Sequence, residues 1–116
     1  MQIPQDGNLF AGTDQVLPQE LIEVVAGSAN QSLRIKRIVS HGQATPPGQW
    51  YDQSQHEWVA VIAGEADLRF EDEAVARTMR AGDYVFIHAH RRHRVDRTSD
   101  SCPTIWIAVF YDADAY

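Results

Sequence analysis

Two stretches decide how this chain reads: Glu57-Trp-Val-Ala-Val-Ile-Ala-Gly64 and Gly82-Asp-Tyr-Val-Phe-Ile-His-Ala-His-Arg-Arg-His93. The first is a continuous apolar run led by a carboxylate and closed by a glycine, the pattern of a buried strand running into a turn. The second opens on a Gly-Asp turn, continues as a short apolar strand and ends on a histidine. If these strands pair in a small barrel, Glu57 and His93 point into one cavity, and that cavity is a candidate site.

Outward from this pair, turn residues recur about every ten positions and long helical periodicity is missing. That spacing predicts many short strands in a sandwich or barrel. Leu33 to Ser40 alternates, with Leu33, Ile35 and Arg37 on one face and Arg34, Lys36 and Ile38 on the other. Gly42-Gln-Ala-Thr-Pro-Pro-Gly48 cannot continue a ladder, because two prolines lack donors, and it should form a loop at the mouth of the fold. Trp58 to Ala63, Ala66 to Phe70, Val75 to Met79, Tyr84 to Ile87, His93 to Asp96 and Thr104 to Tyr111 read as further strands. Leu17 to Val25 reads either as a helical turn or as a strand.

With 116 residues the chain is long enough for one domain, taken as 1–116 with residues 1–16 as an N-terminal arm. No apolar run approaches the length of a membrane span. A single cysteine, Cys102, and the lack of a signal-peptide pattern point to the cytoplasm. The net charge of −6 argues against nucleic-acid binding. Arg91, Arg92, Arg94 and Arg97 form a local exception. They read as a solvated strand face, with a basic rim that attracts an anionic substrate as the sharper alternative.

The chain resembles the cupin superfamily of small jelly-roll β-barrels. The family's first motif runs glycine, five residues, His-x-His, three or four residues, Glu, six residues, Gly, and Glu57 and Gly64 match its last two elements. The second motif runs Gly, five residues, Pro-x-Gly, two residues, His, and Gly82 and His93 match its ends. The resemblance spans about residues 17–111. It implies an all-β jelly-roll barrel and a divalent metal ion, with Mn, Fe, Ni and Zn the candidates. The His-x-His pair is missing. Its places fall on Tyr51 and Gln53, or on Trp50 and Asp52 in the other register. His88 and His90 stand where the second motif has proline and glycine.

Only Glu57 and His93 therefore carry over as metal ligands, with Gln53 the third donor that spacing favours and Tyr51, as phenolate, or Asp52 the alternatives. Residues 51, 53 and 57 share parity on an extended chain. Tyr51 and His90 are the candidates for moving protons. His88 and His90 are expected in an exposed turn, and His41 and His56 at the surface. Trp58 and Trp106 are expected in the core or barrel lining, while Trp50 and Tyr51 are placed near the cavity mouth. Two functions follow. One is a metal-dependent isomerase or oxygenase acting on a small polar or anionic molecule; the other is a metal-free small-molecule binding module. A homodimer is expected, through the arm or the last strand, because a small barrel leaves sheet edges to cover.

Overall fold

The computed structural model describes residues 3–113. The first two residues of the expected arm, and residues 114–116 of the expected domain, lie outside the described residues. The strands are β1 Leu21–Gly27, β2 Leu33–Ser40, β3 Gln55–Ala63, β4 Glu65–Phe70, β5 Arg77–Arg80, β6 Tyr84–Ile87, β7 His93–Thr98 and β8 Thr104–Asp112. The ambiguous segment after Leu17 is thus strand: its β-branched residues pair with β2 from Leu21 onward. Among the described residues no helix is long and apolar enough to cross a membrane.

The strands form two antiparallel sheets, one ordered β1-β2-β8-β3-β6 and one ordered β5-β4-β7. The many short strands are those the turn spacing predicts, and their jelly-roll arrangement is the one the resemblance implies. The sheets are not hydrogen-bonded into a continuous cylinder. An isolated bridge between Tyr51 and His93 ties the mouth loop to the start of β7. Between the sheets lies a core that includes Leu68, Phe70, Met79, Val61, Ile87 and Ala108. Strand β4 shows the alternation plainly, with Ala66, Leu68 and Phe70 fully buried and the residues between them half-buried.

The register of the large sheet decides what faces the core. Arg34 pairs with Phe110, Phe110 with Glu57 and Glu57 with Ile87, so these four form one cross-strand row. Lys36, Ala108 and Val59 form the next row. Directly paired residues share a face, so Arg34 and Lys36 point inward with Glu57. Arg37 points the other way. It is buried under the arm, paired with Glu23 at 2.5 Å, and its Nη1 donates to the carbonyls of Leu9 and Ala11 at 3.0 and 2.6 Å.

Two expectations need correction. Trp58 alternates with the inward Glu57 and Val59, so it lies on the outer face, where it packs against Tyr84 with ring centroids 5.5 Å apart. His56 is not a surface residue. It is 8% exposed, its Nδ1 accepts from the Ala89 amide at 3.0 Å, and its ring lies 5.1 Å from Phe86.

Candidate active site

A cavity of about 240 Å³ opens between the sheets. Tyr51, Gln53, Glu57 and His93 all line it, as do the apolar side chains Val59, Leu68, Ile87 and Val95. Period-two parity explains why Tyr51 and Gln53 enter while Asp52 does not. Asp52 points outward and meets His90, whose Nδ1 lies 2.7 Å from its carboxylate. His90 is exposed and is not among the lining residues. Trp106 lines the cavity, and its Nε1–H donates to Ser40 Oγ at 3.2 Å. Ser40 in turn donates to Glu20.

Glu57 and His93 are both buried, 7% and 4% exposed. His93 Nδ1 lies 2.9 Å from the carbonyl oxygen of Arg91. A carbonyl only accepts, so Nδ1 carries the proton, and Nε2 is the nitrogen turned to the cavity. Nε2 stands 3.5 Å from Glu57 Oε1, longer than an ordinary hydrogen bond. The same carboxylate oxygen accepts from Gln53 Nε2 at 3.0 Å. The Tyr51 ring tilts over His93, with centroids 5.6 Å apart.

These separations allow a test of whether the residues fit a metal ion. Two donors about 2.1 Å from one ion lie about 3.4 Å apart in a tetrahedral arrangement and about 3.0 Å apart at a right angle. The 3.5 Å between His93 Nε2 and Glu57 Oε1 is close to the tetrahedral value, and the Gln53 amide, now hydrogen-bonded to the same oxygen, lies within reach of it. The backbone hydrogen bond on Nδ1 is also the support that ligating histidines need. Gln53 would present its amide oxygen after half a turn of the amide, an orientation assigned from hydrogen bonding in any structure without visible hydrogens. The donor set therefore fits a divalent ion, as one imidazole, one carboxylate and one neutral amide. Among the described residues no three His, Cys, Asp or Glu side chains converge as a fully charged or imidazole set.

The arginine cluster is taken up by ion pairs: Arg92 and Arg97 are half-exposed, while Arg91 and Arg94 are largely covered. Arg91 pairs with Asp72 and Glu73, Arg92 with Glu71, Arg94 with Asp96, and Arg97 with Glu65 and Asp67. The hydrogen bond from Arg97 holds the Asp67 carboxyl below the usual range. At Asp96 burial pushes upward, but the bonds from Arg69 and Arg94 outweigh it and the carboxyl is lowered. The cations that do reach the cavity are Arg34 and Lys36. Their alternation on β2 was legible, but nothing local showed that their face was the inner one.

A family model for the cupin domain matches residues 37–110. The chain belongs to the cupin family. A protein from Ralstonia eutropha JMP134, provisionally named a mannose-6-phosphate isomerase, is 44% identical; the match covers 95% of this chain and 100% of that one, with a TM-score of 0.90. A cupin superfamily protein from Desulfitobacterium hafniense DCB-2 shares the fold at 16% identity, covering 95% of this cupin and 94% of its own chain with a TM-score of 0.71. The DMSP lyase DddQ from Ruegeria pomeroyi DSS-3 is 20% identical, with 84% of this chain and 49% of that one covered and a TM-score of 0.66. A comparison with the curated proteins gave no match. Cupin domains commonly bind a divalent metal, and the glycine of the family's second motif has a structural reason here. His90, in its place, holds φ at 66°, in the left-handed region that glycine enters freely.

Proposed function

We propose that this cupin is an enzyme acting on a small polar molecule in the Glu57–His93 cavity, with a divalent ion held by His93, Glu57 and Gln53. The observation that carries the reading is the facing of His93 Nε2 and Glu57 Oε1 across 3.5 Å, with Nδ1 fixed on the Arg91 carbonyl. A bound ion would act as a Lewis acid, polarising a carbonyl or hydroxyl of the substrate. The chain's own residues do the rest. His93 is held in one tautomer, so its cavity nitrogen is ready to bind. Val59, Leu68, Ile87 and Val95 keep water from the walls, which strengthens every polar contact inside. Tyr51, at the cavity and 47% exposed, can pass a proton between substrate and solvent through its hydroxyl. His90 is held by Asp52 outside the lining, so that task falls to Tyr51. Between isomerase and oxygenase chemistry, the provisional name of the 44% identical protein supports the isomerase.

The test is calorimetric titration of Mn²⁺, Fe²⁺, Ni²⁺ and Zn²⁺ into metal-stripped protein. Wild type should bind weakly, with Mn²⁺ and Fe²⁺ favoured by the oxygen donors. His93→Ala should abolish binding, and Gln53→His should tighten it about tenfold. Equal binding by His93→Ala would place the ligands elsewhere. If no ion bound to wild type, the second reading would lead: a metal-free binding module, favoured by Tyr51 and Gln53 standing where the family has His-x-His.

We further propose a cytoplasmic homodimer. The exposed free thiol of Cys102 suits a reducing compartment. Strand β8, one of the two contacts that the sequence suggests, lies in the sheet interior and offers no edge. The arm is the better contact, since Phe10 and Val16 on it are 57% and 72% exposed and Ile22 on edge strand β1 is 56% exposed. Sedimentation at micromolar concentration should give twice 13.1 kDa, and a monomer alone would refute the dimer.

A further inference from the structure

The chain has ten lysines and arginines against sixteen aspartates and glutamates. Eight of the cations, Arg37, Arg69, Arg77, Arg80, Arg91, Arg92, Arg94 and Arg97, each pair with a carboxylate. Arg34 and Lys36 are the two that find none among the described residues, and both line the cavity. In a chain with surplus acids, leaving two half-buried cations without a direct ion pair runs against electrostatics, and the acid charge that reaches Lys36 is the more distant Glu57.

Their surroundings sharpen the point. The Nε–H of Arg34 is buried without an acceptor, the one side-chain atom in that state among the described residues. The other side of its guanidinium is fixed. Nη2 donates to Gln55 Oε1 at 2.6 Å, and Gln55 is itself anchored through Nε2 to Gln31 O and Asp112 Oδ1, both at 3.0 Å. The donor is thus held in place before any ligand arrives. Arg34 and Lys36 both lie over the Phe110 ring, 5.1 and 5.2 Å from its centroid. Burial, and then the charge of Arg34, lower the Lys36 pKa, with Glu57 opposing. Two acids also face the cavity. Glu20 accepts from Ser40, which stands six residues along β2 from Arg34, about 20 Å. Glu57 is two strands across from Arg34, about 10 Å at the backbone.

We propose that the cavity takes a small organic anion, a carboxylate or a phosphate monoester, whose charged group bridges Arg34 and Lys36 while its hydroxyl or carbonyl end reaches Glu57 and His93. At about 240 Å³ the space falls below the usual range of about 300–1,000 Å³ for drug-sized ligands, so the anion is a compact one. The inference deepens the reading of this cavity as a substrate site and rests on it.

The experiment titrates the ¹⁵N-labelled full chain with sodium glycolate, glycerol 2-phosphate and neutral glycerol, following the Arg34 Nε–H cross-peak and the amides of residues 34–36 and 57. At least one anion should shift these peaks saturably and glycerol should not; the tighter anion identifies the source of the charge. Lys36→Met keeps the stem that packs on Phe110, and Arg34→Gln keeps a donor for Gln55. Each should weaken the anion at least tenfold, and Arg92→Gln, a surface control, should leave it unchanged. Anions that bind no better than glycerol, or as well to Lys36→Met and Arg34→Gln as to wild type, would overturn the proposal. Mn²⁺ titration of the same proteins separates the two readings. Anion binding without metal binding would remove the metal and leave this inference standing, while metal binding without anion binding would remove this inference alone.

Discussion

The two motif glycines offer a measurement in which one serves as the control for the other. Gly64 and Gly82 both hold positive φ, 85° and 95°. An alanine at either should therefore carry the left-handed penalty of about 1–2 kcal/mol. They differ in space. A Cβ at Gly82 meets nothing within 4 Å, whereas one at Gly64 would stand 2.5 Å from Thr104 Oγ1 and 2.6 Å from both Pro103 O and Thr104 Cα. Two of these three atoms are backbone, so the β3–β4 turn would have to move off the start of β8 by nearly an ångström. Thr104 is fully buried, and its Oγ1 accepts from the Glu65 amide at 3.2 Å and donates to the Glu65 carbonyl at 3.1 Å. The movement would loosen that pair. Overpacking adds about 1–3 kcal/mol and a lost hydrogen bond about 1 kcal/mol, so Gly64→Ala should cost roughly 3–6 kcal/mol. In urea, with a slope of about 1.5 kcal/mol/M for a chain of this size, Gly82→Ala should lower the midpoint by about 1 M and Gly64→Ala by about 2–4 M. Equal midpoints for the two variants would refute the reasoning, because the contacts would then add nothing to the backbone strain.

His90→Gly should raise stability by up to about 1 kcal/mol, since it relieves a positive φ and removes only an exposed side-chain hydrogen bond with Asp52; a lower melting temperature would contradict this. The Asp67 and Asp96 carboxyls are lowered in the folded state. Their contribution is therefore complete above the unfolded carboxylate value of about 4 and is lost as pH falls through the depressed folded values. Urea midpoints measured from pH 6 downward should hold to about pH 4 and then fall, less steeply in Asp96→Asn; identical acid limbs would count against the Arg69 and Arg94 contacts.

Much of the fold was legible because β-branched runs and glycine turns act locally. Strand β2 was read with its ends as found, and parity alone brought Tyr51, Gln53 and Glu57 to one face. What was hidden depends on which face turns inward. Alternation separates Arg34 and Lys36 from Arg37 but is silent on which set meets the cavity, because that depends on pairing with β8, some seventy residues away. The same limit explains His56. Its burial comes from Phe86 and Tyr111 on neighbouring strands and from His88 just past the end of β6, none of which marks a histidine as internal. The four clustered arginines drew attention by density, yet each has an acid partner: on β4 or the turn after it for Arg91, Arg92 and Arg97, and on β7 itself for Arg94.

The place of β8 in the large sheet has a kinetic consequence. Strands β2 and β3 do not pair with each other; each pairs with β8, which lies between them and comes last in the chain. Arg34 and Lys36 stand on β2 and Glu57 on β3, so the two sides of the cavity have no fixed spacing until Thr104–Asp112 inserts. During synthesis the earlier strands must wait as separate hairpins with open edges, and closure joins segments far apart in sequence. Folding should therefore take milliseconds to seconds, as for other domains dominated by distant pairings. Ligand binding and the native core should appear together in one late step.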